Sequence, residues 1–422
     1  MKGRGEGSFY YSWMAILLNG FSALSANATD VLPVGVRAAA FVFGSSEGIR
    51  DGFNDAGRVQ SLSYDINRSV TLQELAEEEP KLKTLQNALN SLGSEEFGDS
   101  LLVADIYADI SVNQRQYVSA LLWGVTNKIT LGMQIPYIRR DTKASFKVST
   151  VNNAAEIQKM IGEIPQISDG LAQLAATNID TARFSESIFT ENGYKIPSSF
   201  SIGGMGNIEF EGRYGYIQNS FLKFTLKSGM KVPTAQHKID LRNILDRELD
   251  DPHYSYKLTS AHDFKLIPNV LALNTSVTGV FRRPYKKLTG VAKSADQILP
   301  NLNDPEQVVT VNYYKGVMLD AQVGLVLDVY KGAFSLGTNY VYNKNPKLMV
   351  YGPGDLDYSP LTKNTESVSH VVEFSAELSS IPLFLSGKMP LPGKFVLTWS
   401  QPVAGKNTLF TPYGRMDMIM LF

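Results

Sequence analysis

Ile208 to Val232 reads IEFEGRYGYIQNSFLKFTLKSGMKV. In the first half Ile208, Phe210, Tyr214 and Tyr216 share one parity and oppose Glu209, Glu211 and Arg213. In the second half Leu222, Phe224, Leu226, Met230 and Val232 oppose Lys223, Thr225, Lys227 and Lys231. Successive side chains of a strand point to opposite sides, so this alternation predicts two strands, each with one apolar and one polar face. The turn-like Ile217-Gln218-Asn219-Ser220 between them makes a hairpin.

The same pattern recurs along the chain. Leu319, Ala321, Val323, Leu325, Leu327 and Val329 oppose Asp320, Gln322 and Asp328, and Tyr330-Lys331-Gly332 turns into Phe334, Leu336, Tyr340 and Tyr342. Twelve strands are expected, near 32–44, 102–125, 128–139, 206–216, 221–232, 254–266, 270–283, 316–330, 333–342, 369–378, 394–403 and 412–422. Their connections alternate. Long gaps (45–101, 140–205, 233–253, 284–315, 343–368, and the shorter 404–411) are separated by tight turns, with 379–393 the exception, and both chain ends fall on the tight-turn side. That layout belongs to barrels that cross a membrane with strands. In hydrocarbon every backbone polar group must be paired internally, so such strands must close into a ring. The expected fold class is all-β: a closed antiparallel transmembrane β-barrel of about twelve strands, fourteen being the alternative, with helical segments in long extracellular loops. The last stretch, GRMDMIMLF from Gly414 to Phe422, fits a closing strand whose Met416, Met418, Met420 and Phe422 face lipid opposite Arg415 and Asp417. Tyr214, Tyr216, Tyr340, Tyr342, Trp123 and Trp399 are expected near strand ends as interfacial aromatics.

Composition narrows the function classes. The 422 residues carry a formal net charge of -1, so there is no basic footprint for nucleic acid. The absence of Cys excludes disulfides, thiolate metal sites and a Cys nucleophile. The four His, at 237, 253, 262 and 370, lack metal-ligand spacing and are expected at the surface or in loops, so neither metal nor cofactor is implied. At the N-terminus Lys2 and Arg4 precede an apolar stretch from Trp13 to Leu24 and the small-x-small Ala26-Asn27-Ala28, which predicts a secretory signal at 1–28 and a barrel at 29–422. The alternative is an N-terminal anchor, but Asn19, Gly20 and Ser22 interrupt a stretch already shorter than a span of about 20 residues.

The polar parity of the strands predicts a lumen lined by Arg37, Asp105, Asp109, Glu209, Glu211, Arg213, Lys223, Lys227, Lys231, Lys257, Asp263, Lys265, Asp320, Asp328, Glu373, Glu377, Arg415 and Asp417. Charges of both signs at strand-neighbour distance should pair, for instance Glu211 with Lys227; they either close the pore as scaffold or line a conduit. Two long gaps carry helical stripes, in 71–92 with a break at Pro80 and in 152–178 with a break at Pro165. Leu85, Leu89, Ile157, Met160, Ile161 and Ile164 on these stripes are candidate ligand-capture residues, the alternative being that the two helices pack on each other as a lid.

The run YVSALLWGVTNKITLGMQIPYI (117–138), followed by GMGNIEFEGRYGYIQNSFLKFTLKSGMKVPT (204–234), resembles the outer-membrane hydrophobic-compound transporters, among them the phenol-degradation-type barrels and the fatty-acid and toluene channels. The shared features are a Gly-Val-Thr turn into a strand, an Ile-Pro-Tyr exit, a long loop, and a Gly-x-Gly-Asp/Asn-Ile entry to a hairpin ending in Val-Pro-Thr. Asn207 stands where Asp is commoner. The resemblance implies residence in the outer membrane of a Gram-negative bacterium and passive, porin-like transport of a small hydrophobic or amphipathic ligand. It also implies outer-membrane lipid and the barrel-insertion machinery as partners. An enzyme is disfavoured, because Ser369 and His370 are adjacent on a strand and therefore face opposite sides, as do His262 and Asp263. A structural or surface-interaction barrel with a sealed lumen is the alternative.

Overall fold

The computed structural model describes residues 30–64, 67–73, 80–91, 101–149, 189–293, 299–354 and 356–422. Twelve antiparallel strands close into one ring: β1 (Arg37–Ile49), β2 (Leu102–Thr126), β3 (Ile129–Ser149), β4 (Ile208–Gln218), β5 (Leu222–Val232), β6 (Ser255–Ile267), β7 (Leu271–Arg282), β8 (Met318–Tyr330), β9 (Phe334–Asn345), β10 (Ser367–Ser379), β11 (Gly393–Lys406) and β12 (Tyr413–Leu421). Each pairs with its sequence neighbours, and β12 pairs with β1 from Ala38↔Leu421 to Ser45↔Gly414. Arg37 and Phe422 complete the seam by exchanging backbone hydrogen bonds of 2.8 and 2.9 Å.

Register fixes which side chains point inward. Val42 is buried and faces Val118 on one side and Asp417 on the other, both also buried. The opposite face is apolar yet open: Leu121, Trp123, Leu325, Trp399 and Met418 lie between 42 and 55% exposed. An unbroken apolar band this accessible is far larger than the few hundred Å² of contiguous apolar patch usual on a water-soluble monomer. Trp399 falls in mid-strand rather than near an end.

The tight turns are built for their work. At the β8–β9 turn Lys331 and Gly332 both have left-handed backbone (φ 43° and 74°), and the Asp328 carboxylate accepts the Gly332 N–H at 2.8 Å. The exceptional 379–393 connection contains the short helix Ile381–Leu385 and leaves Leu385 and Leu391 exposed. At the other end the chain builds a cap. Strands Tyr285–Gly290, Val308–Tyr314 and Met349–Tyr351 form a small sheet over a core of Val291, Val311, Tyr313, Leu348, Val350 and Leu361. A second one joins Asp51–Phe53, Val59–Ser61 and Thr408–Leu409. Strands Arg68–Thr71 and Phe200–Met205 pair with the projecting ends of β2 and β3.

Three sequence expectations need correction. Residues 32–36 are not strand: Pro33 has no N–H, Gly35 turns with φ 80°, and Leu32 and Val34 donate instead to Thr130 Oγ1 (2.8 Å) and Asn127 Oδ1 (3.1 Å). β3 runs ten residues further than its alternation suggested, because Arg139, Asp141 and Lys143 occupy the outward face once the strand has left the apolar band. For the same reason Asp105 and Asp109 share the outward parity of Tyr107 and Tyr117, and Asp105 accepts from Ser69 Oγ at 2.5 Å. Arg37 is likewise outward, facing Trp123 across the rim. These three do not face the lumen.

A helix does form in the first long loop, at Pro80–Asn90. The expected leader at 1–28 and the stripe at 152–178 lie outside the described residues.

The closing seam admits a direct test. A Cβ on Gly44 of β1 would overlap the ring of Tyr413 on β12. Gly44→Ala should therefore destabilise the barrel by about 1–3 kcal/mol, read as a lower urea midpoint for the folded band in heat-modifiable gel migration.

Candidate functional site

The barrel interior is the one enclosed space to which all twelve strands contribute. Its wall is divided by chemistry. β1 to β3 present Ala38, Ala40, Val42, Val118, Ala120 and Leu122, all buried, with Pro136 and Ile138 beyond them. β4 to β6 present Arg213, Lys223, Lys227, Lys231, Lys257 and Lys265 against Glu209, Glu211 and Asp263. β8 to β12 present Asp320, Asp328, Glu373, Glu377 and Asp417 against Lys394 and Arg415. The first sector is uncharged and mostly apolar, with Gln116, Thr130 and Gln134 set among the aliphatic side chains; the second is net basic and the third net acidic. A polar cavity of ≈ 60 Å³ lies within the acidic side, lined among others by Asp263, Asn274, Gln322, Asn339, Glu373 and Arg415.

Many interior charges are paired. Lys257 meets Glu209 at 2.7 Å, Arg213 meets Glu211 at 2.5 Å, Lys394 meets Glu377 at 3.1 Å, and Arg415 meets Asp417 at 3.1 Å. The expected Glu211–Lys227 bridge does not form. Glu211 lies opposite Gly229, and Lys227 lies opposite Arg213.

At the tight-turn end the segment before β1 folds into the mouth. Lys223 approaches Asp30 Oδ1 at 2.8 Å and Lys394 approaches its Oδ2 at 3.9 Å, while Arg213 Nη1 donates to its carbonyl at 3.4 Å. β5 and β11 are six strands apart in a ring of twelve, so Asp30 sits near the barrel axis. Gly124 makes room for this crossing, since a Cβ there would strike the carbonyls of Leu32 and Pro33.

At the long-loop end, residues 233–254 are strapped across the other mouth. Lys231 pairs with Asp250 at 2.5 Å and Lys315 with Asp251 at 2.6 Å. Lys287 pairs with Glu248 at 2.8 Å, and Arg140 Nη1 donates to the Glu248 carbonyl at 3.2 Å. Asn207, fully buried, is the hub: Oδ1 accepts from Thr234 N and Ala235 N, both at 3.0 Å, its N–H donates to Asp250, and Nδ2 donates to the Asp251 carbonyl at 2.5 Å. Thr234 Oγ1 accepts from Ile208 N at 2.9 Å and donates to Gly206 O at 3.1 Å. The Gly-Asn-Ile and Val-Pro-Thr pieces are thus two halves of one knot. An Asp at 207 could accept from 234 and 235 but would set oxygen against the Asp251 carbonyl, which gives the Asn a physical reason.

His253 lies in this loop, as the sequence led one to expect, and is buried there. Its ring stacks on Tyr285 (5.2 Å, 17°), which stacks on Tyr313 (5.2 Å, 14°). Among the described residues both ring nitrogens lack a hydrogen-bond partner. Burial pushes its pKa down to about 4; Lys315, Arg282 and Lys231 act the same way, and Asp251 opposes them. Burial works against the Asp251 charge, but Lys315, His253, Arg282 and Lys231 hold its carboxyl well below the usual range.

Of the candidate ligand-capture residues, Leu89 is fully buried. Ile157, Met160, Ile161 and Ile164 lie outside the described residues, as does the side chain of Leu85. Ser369 faces inward, whereas His370 faces outward and bonds Tyr340 at 2.5 Å. Among the described residues no cluster of His, Asp or Glu could hold a metal. Sequence reasoning missed Asp30 and the strap; the run Asp250-Asp251-Pro252-His253 carried the signal, two acids beside a His in an otherwise polar loop.

Two outcomes follow from the strap. Asn207→Asp should cost about 1–3 kcal/mol, the penalty of an unsatisfied buried acceptor pair, seen as lowered hydrogen-exchange protection across 233–251. His253 has a folded pKa below its unfolded value of about 6.5, so the unfolded strap binds the extra proton and stability falls as pH drops from about 6.5 toward 4; Asp251, also depressed, extends the loss below about 3.9. Protection factors for 238–254 should decline through that window, and His253→Gln should flatten the upper part.

No family profile and no curated protein matches this chain. Among solved structures it is similar to an outer membrane channel from Pseudomonas putida F1, with 10% identity, TM-score 0.52, and 94% of this chain and 98% of that one covered. A FadL homologue from Pseudomonas aeruginosa (8% identity, TM-score 0.31, 92% and 89% covered) and the translocator domain of the autotransporter NalP from Neisseria meningitidis (7%, 0.34, 93% and 91%) superpose too loosely to carry an argument. The first likeness bears on the fold alone, with both chains covered almost end to end.

Proposed function

We propose that this chain is an outer-membrane channel of a Gram-negative bacterium that admits small amphipathic molecules by passive uptake. The observation that carries the proposal is the division of the interior into an apolar wall on β1–β3 and charged walls on β4–β12, inside a barrel whose outer face is an exposed apolar band. An amphipathic solute can slide its tail along Ala40, Val118 and Leu122 while its head stays among charges. The two mouths are closed by tethered irregular segments, which can move without breaking any strand pairing. The fold likeness to a protein described as an outer membrane channel agrees with this reading. Residues 1–28 serve as the export signal, and outer-membrane lipid and the barrel-insertion machinery are the partners of assembly.

A sealed structural barrel is the second reading, favoured by the ion pairs along the interior wall and by Asp30 on its axis. Uptake of a labelled amphiphile by cells with and without the protein in their outer membrane separates the two: a severalfold rise supports the channel, and no difference supports the sealed barrel. Placement in the membrane has its own test. Leu325→Arg on the outward face of β8 should abolish insertion, at a cost of about 2–4 kcal/mol near the bilayer midplane, whereas Gln322→Ala on the inward face of the same strand should leave heat-modifiable migration intact.

A further inference from the structure

Four of the connections at the tight-turn end span two or three residues, and the fifth, between β10 and β11, spans 380–392. Residues 379–393 read SSIPLFLSGKMPLPG, with Lys388 the one cation and no acid. Such a length could be a slack insertion, but the connection is folded on itself. Ser380 ties its neck. The Ser380 N–H donates to the Gly393 carbonyl at 2.9 Å, its hydroxyl donates to the Leu391 carbonyl at 2.9 Å, and the same hydroxyl accepts the Gly393 N–H at 2.8 Å. The helix Ile381–Leu385 has Pro382 in its first turn and ends where Gly387 turns left-handed (φ 72°). There the Gly387 N–H reaches the Phe384 carbonyl at 2.9 Å and the Lys388 N–H reaches the Leu383 carbonyl at 2.8 Å, the paired bonds of a glycine-terminated helix. Pro390 and Pro392 stiffen the return. A segment so restrained has lost its freedom before it meets a partner. Yet its apolar side chains are presented rather than packed: Leu385 is 79% and Leu391 64% exposed, and Leu383, Phe384 and Met389 are exposed too.

The position of this knob says what covers it. The outermost apolar row of the barrel face runs without a polar break from Tyr330 through Phe334, Leu378, Phe395 and Met418 to Phe41, and Leu378 and Phe395 flank the connection. On its other flank the Leu421 N–H donates to the Pro392 carbonyl at 3.0 Å. Phe422 follows, 64% exposed, paired through its backbone with Arg37, which lies opposite Trp123 on β2. Exposed aromatics beside a cation at a strand end mark the level where a membrane barrel meets headgroups. Pro382 leans on the neighbouring β8–β9 turn, 3.7 Å from where a Gly332 Cβ would stand, so the knob is braced along the rim instead of hanging free. A protein partner would need polar groups around the apolar centre to fix its orientation. Ser380 and Ser386 spend their hydroxyls on the Leu391 and Leu383 carbonyls, which leaves Lys388 alone for that task. Lipid needs no such rim: aliphatic side chains enter the acyl boundary while a lysine holds its ammonium among phosphates.

We infer that residues 381–391 form a lipid-anchoring site, seated at the headgroup boundary of the periplasm-facing leaflet with Lys388 at the phosphate of an anionic phospholipid. This rests on the outer-membrane placement proposed above. The anchor fixes the depth of the β10–β11 rim, one strand from the closing seam, where the other tight turns offer the bilayer only two or three residues.

The chain has no Cys, so one introduced cysteine carries a fluorophore to a single chosen place. The full chain is folded into vesicles of phosphatidylethanolamine and phosphatidylglycerol with the label at Leu385→Cys, at Phe374→Cys on the outward face of β10, or at Glu306→Cys on the exposed cap. Heat-modifiable migration verifies each barrel, and Leu391→Cys replaces Leu385→Cys if that variant does not fold. Lipids bearing a nitroxide near the headgroup should quench the 385 probe at least about twofold more than lipids bearing it at mid-chain. The 374 probe should show the opposite order, and the 306 probe should answer only to aqueous iodide. At equal mole fraction, nitroxide phosphatidylglycerol should quench the 385 probe about twofold more than nitroxide phosphatidylcholine, and Lys388→Gln should remove that preference. A 385 probe as open to iodide as the 306 probe overturns the anchor and leaves the knob to a periplasmic protein. A 385 probe shielded from both iodide and nitroxide lipid overturns it in favour of a second copy of the chain. Equal quenching by the two nitroxide lipids with Lys388 in place overturns the phosphate contact. In each case the membrane barrel stands if mid-chain nitroxide still quenches the 374 probe; if it does not, the membrane placement falls as well.

Discussion

Arg37 and Phe422 exchange both of their backbone hydrogen bonds, and with them the ring of strands has no edge. Everything else in the molecule depends on that closure. An open sheet with this outer face would expose unpaired N–H and C=O groups beside an apolar band, which neither water nor hydrocarbon tolerates. Once the ring is closed, the two-residue period of a strand assigns every side chain irrevocably inward or outward, and a slip of one residue would exchange the whole interior for the whole exterior. The seam is tight for that reason: Gly44 lies where any side chain would meet Tyr413.

Parity also explains what the sequence disclosed and what it withheld. All twelve strands and the alternation of long and tight connections were legible, because each strand was read against an apolar exterior and a polar interior. Leu325, Lys257 and Glu373 obey that rule. Asp105 and Asp109 break it: β2 is 25 residues long, and beyond the apolar band its outward face meets water while its inward face, with Ala108 and Ile110, is packed under the cap. The inversion has no marker in the alternation itself, since a polar residue on either face reads the same. Arg37 fails for a related reason, standing at the rim beside Trp123.

The functional parts were less legible because they depend on contacts distant in sequence. Asp30 is significant only once Lys223 and Lys394 are brought to opposite sides of a ring, and Asn207 only once residues 234 and 251 return to it. Pairing within the interior was misjudged by one step. Glu211 and Lys227 were expected to pair as strand neighbours, but the turn at 219–221 and the bulge between Gly215 and Ile217 together set the register so that Arg213, not Glu211, lies opposite Lys227. Turn and bulge decide such pairings, and period-two patterning is blind to a shift that preserves parity.

That shift has a physical consequence. Were Glu211 opposite Lys227, one more cation of the basic wall would face a carboxylate directly across the hairpin. The actual register spends Glu211 on the Arg213 Nε two residues along the same strand and leaves two cations facing each other in a narrow lumen, where water cannot fully screen them. A barrel selected only for rigidity would gain by replacing either residue with a neutral one, since replacing buried charges by neutral groups is often stabilising. The segments closing the two mouths are held differently, by ion pairs such as Lys231–Asp250 and Lys223–Asp30 that can part without disturbing a single bond of the ring.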